Sequence, residues 1–506
     1  MTLHRNRRLT LLTLLMLIGL TLPHPSATQA QADSRTFPET GHTLKGKFLA
    51  YWNTHGGLAQ LGYPISDETQ DVSDTNGKTY TTQYLERAVL ELHPENAGTP
   101  FEVQGSLIGV FAYHGKYPSL GGAPSQTAST SNVLTFKETG KSLGGAFRTY
   151  WEGHGGLAQQ GYPISNEFQE KNDLNGQTYT VQYFERAVME LHPENKAPFN
   201  VLLSQLGTFQ ARSRQDLSYT DWAKTTVTLT KRPERIVCLV ALCEDILFEL
   251  GIEPAAINDT FAENPEFWGD KGKTFAHIGG GFGAPNLEDI AKIKPDLVIG
   301  FIPHVGLRDA LKPIAPLFIM NPASYQDSLA YLHTIGRLTN RTAKAEDSTR
   351  GFLQKMAAYK AKAPNNRVPL ILFGTNTNFS IFTSGSLFGS VLSEVTNYPW
   401  PAPGAGEVGA PDQEPGSLQY SLEKILQKDP DVLLIESFNF APGSPSLSDQ
   451  LKANPLWSEL KAVKNNRVYE VRTAIYIFGR GTHSMSIALD DAMKKIYPET
   501  FPNPLP

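Results

Sequence analysis

Residues 286–301 read NLEDIAKIKPDLVIGF, and residues 421–438 repeat the pattern as SLEKILQKDPDVLLIESF. In each copy a good N-cap residue, Asn286 or Ser421, precedes a short helix, a proline ends the helix, and an apolar run follows. Apolar runs of this kind are typical of strands that are buried on both faces of a parallel sheet. The two copies therefore predict two α/β lobes of similar build.

The sequence around the two copies continues this alternation of strands and helices. RIVCLVAL (235–242) is a β-rich apolar run, and CEDILFELG predicts a helix that ends at Gly251. TAKAEDSTRGFLQKMAAYKAKA has strong helix formers and no internal proline, so it predicts a helix of about 20 residues, ~30 Å long. We expect two Rossmann-like lobes of α/β class joined by this one helix: an N-terminal lobe at 226–341, the connecting helix at 342–363 and a C-terminal lobe at 364–506.

The first half of the chain is a tandem repeat. HGGLAQLGYPIS starts at His55 and HGGLAQQGYPIS at His154, and residues 37–96 align with residues 136–195 at a constant offset. Each copy predicts a short helix with core aromatic residues, a Gly-Tyr-Pro turn and a hairpin with an Asn-Gly turn. We expect two small α+β modules, at 33–120 and 133–222, joined by a linker at 121–132 whose composition is flexible.

The first 32 residues have the pattern of a secretory signal. Arg5, Arg7 and Arg8 precede an apolar run that ends at Leu22, and small residues extend to Ala32, near which cleavage is expected. The apolar run is shorter than the ~20 residues that span a bilayer. No cysteine lies near the cleavage position, so we expect a secreted protein of the cell envelope or periplasm that is not a lipoprotein.

Charge and motifs exclude several classes of function. Removal of residues 1–32 takes away three arginines and no acid, which moves the formal net charge from −5 to about −8 and argues against nucleic acid or an anionic membrane as a partner. The only cysteines, Cys238 and Cys243, are too few for a zinc site, and whether they form a disulfide stays open. The sequence has no GxSxG, HExxH or Walker motif, so we expect no enzyme, no resident metal and no cofactor.

Several segments of the second half resemble one family. RPERIVCLVALCEDILFELGIEP, GGGFGAPNLEDIAKIKPDLVIGF, IFTSGSLFGSVLSEV and NPLWSELKAVKNNRVYEV are similar, in order and spacing, to periplasmic binding proteins of importers for iron siderophores, haem and cobalamin. The resemblance covers Lys231 to Pro498. It implies a monomeric binding protein that holds a ferric siderophore or a related metal chelate between its lobes and delivers it to an ABC permease.

The repeated segment GLAQLGYPISDE resembles the LGFP repeat of secreted and cell-wall-associated proteins, which implies contact with an envelope glycan. Two alternatives stay open for the protein as a whole. In one, the chelate is haem or cobalamin instead of a ferric siderophore. In the other, the protein is an envelope adhesin that acts through its repeats.

The resemblance and the predicted topology together select a set of ligand-binding residues. In open α/β sheets, ligands bind beyond the carboxyl ends of the strands, and a large flat chelate needs aromatic walls with a few charges. Phe282 and Phe301 match family positions for cleft aromatics, and Arg480 is the leading counter-charge for an anionic chelate. The full set is Phe261, Trp268, Phe282, Phe301, His304, Arg308, Tyr476, Phe478 and Arg480.

Glu288 and Glu423 occupy matching places in the two copies of the lobe pattern. Each lies two residues after the N-cap, where an acid complements the helix dipole. In the family that the lobes resemble, one exposed glutamate on each lobe docks onto arginines of the permease. The two roles are compatible, and both stay open at this stage.

Overall fold

The computed structural model describes residues 33–374, 377, 379–404, 415–437 and 445–505. The expected signal segment 1–32 and Phe438, the last residue of the second lobe pattern, lie outside the described residues. Of the described helices, none is both long enough and apolar enough to cross a membrane.

Each repeat forms a β-hairpin, two short helices, a four-stranded antiparallel sheet and one further helix. The first repeat contains β1 (Ser34–Thr36), β2 (Thr43–Lys45), α1 (Gly46–Thr54), α2 (Gly57–Leu61), β3 (Thr69–Val72), β4 (Thr79–Tyr84), β5 (Val89–Leu92), β6 (Val103–Gly105) and α3 (Ile108–Lys116). The second contains β7 (Leu134–Phe136), β8 (Lys141–Leu143), α4 (Gly145–Gly153), α5 (Gly156–Gln160), β9 (Phe168–Lys171), β10 (Thr178–Tyr183), β11 (Val188–Leu191), β12 (Val201–Leu203) and α6 (Leu206–Gln215). The strands of each sheet follow chain order, and the Asn-Gly pairs lie between the first two strands.

The last helix of each repeat packs on the other repeat. Ile108 of α3 lies in one core with Tyr183 of β10, and Leu206 of α6 lies in the same core. The backbone contacts are symmetric, because the Gly109 N–H donates to the Glu185 carbonyl at 3.0 Å and the Thr208 N–H donates to the Glu86 carbonyl at 3.1 Å. The repeats are therefore interleaved, and a division at 121–132 does not separate their cores.

The repeated HGGLAQ segments lie where the two repeats meet. The Gln160 Nε2 donates to Gln60 Oε1 at 2.9 Å, and Gln60 Nε2 donates to the Tyr150 hydroxyl at 2.6 Å. Gly57 has a φ of 50°, and a Cβ atom there would lie 3.2 Å from the ring of Trp52. The motif thus builds the core of each repeat and the contact between the two repeats.

Gly109 is expected to be essential for the interleaved packing. A Cβ atom there would lie 1.9 Å from the carbonyl oxygen of Phe184, so alanine has to push α3 away from the second repeat. We expect Gly109→Ala to lower the free energy of unfolding by about 3 kcal/mol. Urea unfolding followed by circular dichroism measures the change.

The matched control is Gly115→Ala on the same helix. A Cβ atom at Gly115 meets no atom within 4 Å. Alanine also favours a helix over glycine by about 0.5–1 kcal/mol, so this change should stabilise the protein slightly. Equal destabilisation by the two changes would contradict the interleaved packing.

The N-terminal lobe follows a small hairpin formed by β13 (Ser218–Thr220) and β14 (Thr226–Thr228). Its elements are β15 (Ile236–Cys238), α7 (Ala241–Leu250), β16 (Ala256–Ile257), β17 (Gly280–Gly281), β18 (Ala284–Pro285), α8 (Leu287–Ile293), β19 (Leu297–Gly300), α9 (Arg308–Leu311), β20 (Leu317–Ile319) and α10 (Tyr325–Leu338). The main sheet is parallel, in the order β16-β15-β19-β20. Only 236–238 of the apolar run 235–242 is strand, because α7 already begins at Ala241.

The connecting helix is α11 (Thr342–Lys362), one residue shorter than the sequence predicts. The C-terminal lobe contains β21 (Pro369–Gly374), β22 (Ser380–Phe382), α12 (Leu387–Val395), β23 (Ser417–Gln419), α13 (Leu422–Lys428), β24 (Val432–Ser437), α14 (Leu447–Leu451), α15 (Lys461–Lys464), β25 (Val468–Glu470) and α16 (Thr482–Ile496). Its sheet has the order β23-β22-β21-β24-β25. Strand β22 runs antiparallel to both of its neighbours, β21 and β23, so the sheet is mixed. Only five residues connect β21 to β22, which is too few for a crossover between parallel strands.

The interleaved repeats are docked against α10 and α11. The Leu120 N–H donates to the Tyr325 hydroxyl at 2.9 Å, and His114 Nδ1 lies 2.6 Å from a carboxylate oxygen of the buried Glu346. Arg214 of α6 bonds the side chain of Asn340 just before α11. The segment at 121–132 therefore starts from a fixed point on the lobes, although its composition suggests flexibility. A cavity of about 430 Å³ remains between α3, α6 and the start of α11.

Candidate functional site

A buried aspartate joins the two lobes. Asp245, on α7 of the N-terminal lobe, accepts hydrogen bonds from the N–H groups of Gly481, His483 and Ser484 at 3.2, 3.3 and 3.1 Å. These groups form the N-terminus of α16 in the C-terminal lobe, so the carboxylate satisfies donors that a helix start leaves unpaired. Burial raises the pKa of Asp245 to about 6, although the bonds from Ser484 and the charge of His483 oppose the shift.

His483 extends this contact between the lobes. Its Nδ1 lies 3.0 Å from the Glu249 carboxylate, and its Nε2 lies 2.8 Å from the carbonyl oxygen of Glu266. Burial disfavours the charged imidazole, but Glu249 and Asp245 outweigh it and raise the pKa of His483. At the surface, Arg472 pairs with Glu266 at 2.6 Å.

The same corner of the N-terminal lobe contains two further buried features. Cys238 and Cys243 form a disulfide, which answers the question that the sequence leaves open. Burial and the neighbouring Asp259 carboxyl raise the pKa of Glu244 to about 10, so Glu244 holds a proton at neutral pH. Sequence reasoning missed Glu244, Asp245 and His483 as structural residues. The one available signal was an acidic pair inside an otherwise apolar helix.

Four of the sequence-predicted ligand residues form one continuous group across the cleft. The ring of Phe282 lies 5.5 Å from that of His304, and the Phe301 N–H donates to His304 Nδ1 at 3.0 Å. On the opposite lobe, the Arg480 guanidinium lies 5.0 Å from the centre of the Phe301 ring, within the range of a cation–π contact. Phe282 is 55% exposed, whereas His304 is fully buried.

Phe478 and Arg480 come from the segment just before α16. Residues 474–479 form one turn of π-helix, and Arg480 follows it with a φ of 64°. Phe478 is 45% exposed, and Arg480 is only 6% exposed, with its Nε donating to the Ile477 carbonyl at 2.6 Å. The aromatic ring is therefore accessible to a ligand, and the guanidinium lies beneath the surface of the cleft.

The structure places Tyr476 and Arg308 outside this group. The Tyr476 hydroxyl donates to the Asp491 carboxylate at 2.9 Å, and Tyr476 is buried together with its neighbours Ile475 and Ile477. Arg308 forms an ion pair with the buried Asp221 and donates to the Leu317 carbonyl at 2.8 Å. Both side chains already have partners within the fold, so they serve its stability.

Phe261 and Trp268 also pack inside the protein. Phe261 is buried 4.5 Å from the ring of Phe267, which in turn lies 4.9 Å from His483. Trp268 contacts Phe248 of α7 at 5.1 Å. These aromatic residues surround the contact between α7 and α16 and make it hydrophobic.

Glu288 and Glu423 are both exposed in equivalent positions on the two lobes. Asn286 caps α8 by accepting from the Glu288 N–H at 2.9 Å, and Ser421 caps α13 by accepting from the Lys424 N–H at 3.4 Å. The Ser421 hydroxyl is the main cause that lowers the pKa of Glu423. Each carboxylate therefore stands at a helix start on the surface, as the repeated pattern predicts.

Among the described residues, no group of three or more His, Cys, Asp or Glu side chains could hold a metal ion. The group at the boundary of the lobes consists of the rings of Phe282, Phe301 and His304 and the guanidinium of Arg480.

Comparison with known proteins gives this lining a context. Residues 236–474 match the family model of the periplasmic binding proteins. The chain is 29% identical over 282 residues to the Fe(3+)-citrate-binding protein YfmC of Bacillus subtilis, which covers 54% of this chain and 84% of that protein. It is 28% identical over 284 residues to the putative ABC transporter substrate-binding lipoprotein YhfQ of the same organism, covering 54% and 87%. The solved petrobactin-binding protein YclQ of Bacillus subtilis aligns with a TM-score of 0.47 and 21% identity, over 56% of this chain and 98% of that chain.

The family match begins at β15 and ends at residue 474, so it leaves out the repeats and the last part of the C-terminal lobe, with Phe478, Arg480 and α16. The family model and both relatives are described as binding proteins, which is the class of protein that the sequence predicts. Residues 236–474 therefore have the sequence pattern of the periplasmic binding protein family.

Proposed function

We propose that this protein is the extracytoplasmic substrate-binding protein of an ABC importer and that it captures a ferric siderophore or a related iron chelate between its two lobes. The contact between Arg480 of one lobe and Phe301 of the other is the observation that carries the proposal. It places a cation and an aromatic wall at one point of the cleft. The similarity to an Fe(3+)-citrate-binding protein supports the same ligand class.

The chemistry of such a ligand matches the cleft. Ferric complexes of carboxylate chelators are anionic, and a guanidinium in a partly buried site attracts carboxylates strongly. The exposed rings of Phe282 and Phe478 offer flat apolar surfaces to the body of a chelate. Phe261, Trp268, Arg308 and Tyr476 are not included in this proposed site, because each is engaged within the fold.

Titration with ferric citrate tests the proposal, with iron-free citrate, haem and cobalamin as the other arms. We expect intrinsic fluorescence to respond to the ferric complex. Arg480→Ala should weaken binding at least tenfold, about 1.4 kcal/mol, because it removes the counter-charge and the contact with Phe301. The affinity of Arg480→Lys should lie between those of the unchanged protein and Arg480→Ala, since lysine keeps the charge and loses the planar group.

The control for Arg480 is Arg350→Ala. Arg350 is exposed on α11 and pairs with Asp347, away from the residues of the cleft. Arg350→Ala should bind ferric citrate with the same affinity as the unchanged protein. Binding of cobalamin or haem alone would replace the iron assignment, and equal affinities for Arg480→Ala and Arg350→Ala would remove Arg480 from the site.

We further propose that Glu288 and Glu423 contact the permease. They are exposed, equivalent and one on each lobe, so together they can fix the orientation of the protein on a transporter of matching charge. The chain is proposed to reach the envelope through cleavage near Ala32.

The repeats are proposed as a rigid extension of the binding domain, not as a flexible tether. The bonds from Leu120 to Tyr325 and from His114 to Glu346 hold them against α10 and α11. Contact of this extension with an envelope glycan is tested by retention of the whole protein on envelope polysaccharide. Lack of retention would favour a purely structural extension.

A further inference from the structure

His304 connects the two aromatic residues of the N-terminal lobe to each other. It is fully buried, its Nδ1 lies 3.0 Å from the Phe301 nitrogen, and its Nε2 lies 2.5 Å from the Phe282 carbonyl oxygen. A backbone N–H can only donate, so Nδ1 must accept. A carbonyl can only accept, so Nε2 must carry the hydrogen. The geometry therefore requires the neutral imidazole with its proton on Nε2.

The hydrogen bond from His304 to the Phe282 carbonyl holds a glycine-rich loop. Phe282 is the one residue with a side chain in the sequence GGGFG at 279–283, between the paired residues of β17 and β18. Glycine leaves such a loop with large conformational freedom. The base of the loop is closed by the Asn286 N–H, which donates to the Gly279 carbonyl at 2.7 Å. The bond from His304 holds the tip, and the two rings pack at an angle of 67°.

The imidazole also has little room to move. A Cβ atom on Gly300 would lie 3.0 Å from His304 Nδ1, so β19 passes directly against the ring. Phe301, the next residue, receives the guanidinium of Arg480 on its face. A shift of His304 would therefore displace the Phe282 loop and the aromatic partner of Arg480 together.

The charged groups near His304 have other partners, so its protonation depends mainly on burial and on its two hydrogen bonds to the backbone. Arg480 lies across the Phe301 ring, Asp289 of α8 bonds the Gly279 N–H at 3.3 Å, and Arg308 of α9 is paired with Asp221. Burial lowers the pKa of His304, and the two backbone bonds only partly oppose it. The ring is thus neutral at neutral pH, and the neutral form is lost as the pH falls through this lowered pKa.

We propose that His304 is a positioning residue, whose neutral Nε2–H form holds Phe282 and Phe301 in the ligand-binding arrangement and whose protonation on Nδ1 in acid releases them and weakens chelate binding. A protonated Nδ1 cannot accept from the Phe301 N–H, so the bond becomes a repulsive contact between two donors. This inference rests on the proposed function for the ligand and on the structure alone for the tautomer.

The first test needs no ligand. Histidine-selective 15N NMR of the whole protein, with His304 assigned by its absence in His304→Gln, should show the Nε2–H neutral form at pH 7.5 and protonation below the ordinary histidine range. The protection factor of the Phe301 amide, which is its exchange rate relative to the intrinsic rate at the same pH, should fall as the ring is protonated. A proton on Nδ1 at pH 7.5, or a titration in the ordinary range, would overturn the positioning role.

The second test measures affinity for ferric citrate at pH 7.5 and at a pH below the His304 titration that the NMR experiment finds. His304→Phe removes both bonds, and we expect about tenfold weaker binding at pH 7.5 with a smaller further loss in acid than the unchanged protein shows. His304→Asn can keep the acceptor for Phe301, and His304→Gln can keep the donor for Phe282, so each should recover part of the affinity. The control His277→Phe changes an exposed histidine of the same lobe and should match the unchanged protein.

The two tests separate the inference from the proposed function. If the unchanged protein does not bind ferric citrate, the ligand proposal fails while the NMR result still decides the tautomer. If it binds and His304→Phe binds equally well with the same pH dependence, the positioning role is wrong and the ligand proposal stands.

Discussion

Asp245→Ala is expected to lower the free energy of unfolding of the two lobes by about 4 kcal/mol, because it leaves three buried N–H groups without an acceptor at about 1–3 kcal/mol each before relaxation. The donors belong to Gly481, His483 and Ser484 at the start of α16. A Cβ atom on Gly481 would lie 2.4 Å from the Asp245 carboxyl, which shows how closely the two lobes approach here. Urea unfolding followed by circular dichroism measures the loss.

The control is Asp309→Ala, an exposed aspartate of the same lobe, which should change stability by less than about 0.5 kcal/mol. If Asp245→Ala is as stable as this control, the contact does not join the lobes.

Asp245 also predicts a dependence on pH. Its folded pKa of about 6 lies above the ordinary aspartate value near 3.9, so the native state binds the extra proton between these values. The contribution of Asp245 to the free energy of unfolding therefore falls as the pH rises from about 4 to about 6. Asp245→Asn should remove this slope, which unfolding curves at pH 4.5 and pH 6.5 can show.

Reversal of charge at both Glu288 and Glu423 is expected to abolish import while leaving the ligand affinity within about twofold, because like charges at a docking surface cost several kcal/mol. Both carboxylates are exposed at helix starts, so arginine there costs only about 0.3–1 kcal/mol of stability through the helix dipole. Uptake of iron-55 citrate by cells with the double variant measures import. Titration of the purified protein measures affinity, and each single reversal should give a partial loss.

The control for this experiment is the pair Asp309→Arg and Glu459→Arg. It makes the same change of net charge on exposed acids, one in each lobe. It should import normally. Import by Glu288→Arg/Glu423→Arg at the level of this control would limit the two glutamates to a role in the helix dipole.

Much of the lobe architecture can be predicted from local signals. Asn286 and Ser421 cap their helices as predicted, and both helices end in a left-handed residue, Lys294 or Asp429. Proline follows directly in both copies, and a buried strand begins three positions after the left-handed residue. The connecting helix ends one residue earlier than the sequence predicts. These features depend on a few neighbouring residues, which is why the chain alone reveals them.

The candidate site is less predictable. Phe282, Phe301, His304 and Arg480 contact one another in sequence from one lobe to the other, and their role in binding a ligand stays a prediction. Arg308 and Tyr476 have the residue types of ligand contacts but bind Asp221 and Asp491 instead. Asp221 lies far from Arg308 in sequence and Asp491 lies on a different helix from Tyr476, so no local pattern indicates these partners.

By itself, then, the sequence determined the two lobes, the helix between them, the duplicated repeats and the matching glutamates. The spacing and periodicity of residues along the chain predict each of these features. The tertiary structure alone decided that the repeats interleave, that Asp245 joins the lobes and that His304 holds two aromatic residues in place. These features depend on which groups, distant in sequence, become buried together. Burial strengthens a hydrogen bond and raises the cost of an unpaired polar group. The burial of these groups exists only in the folded chain.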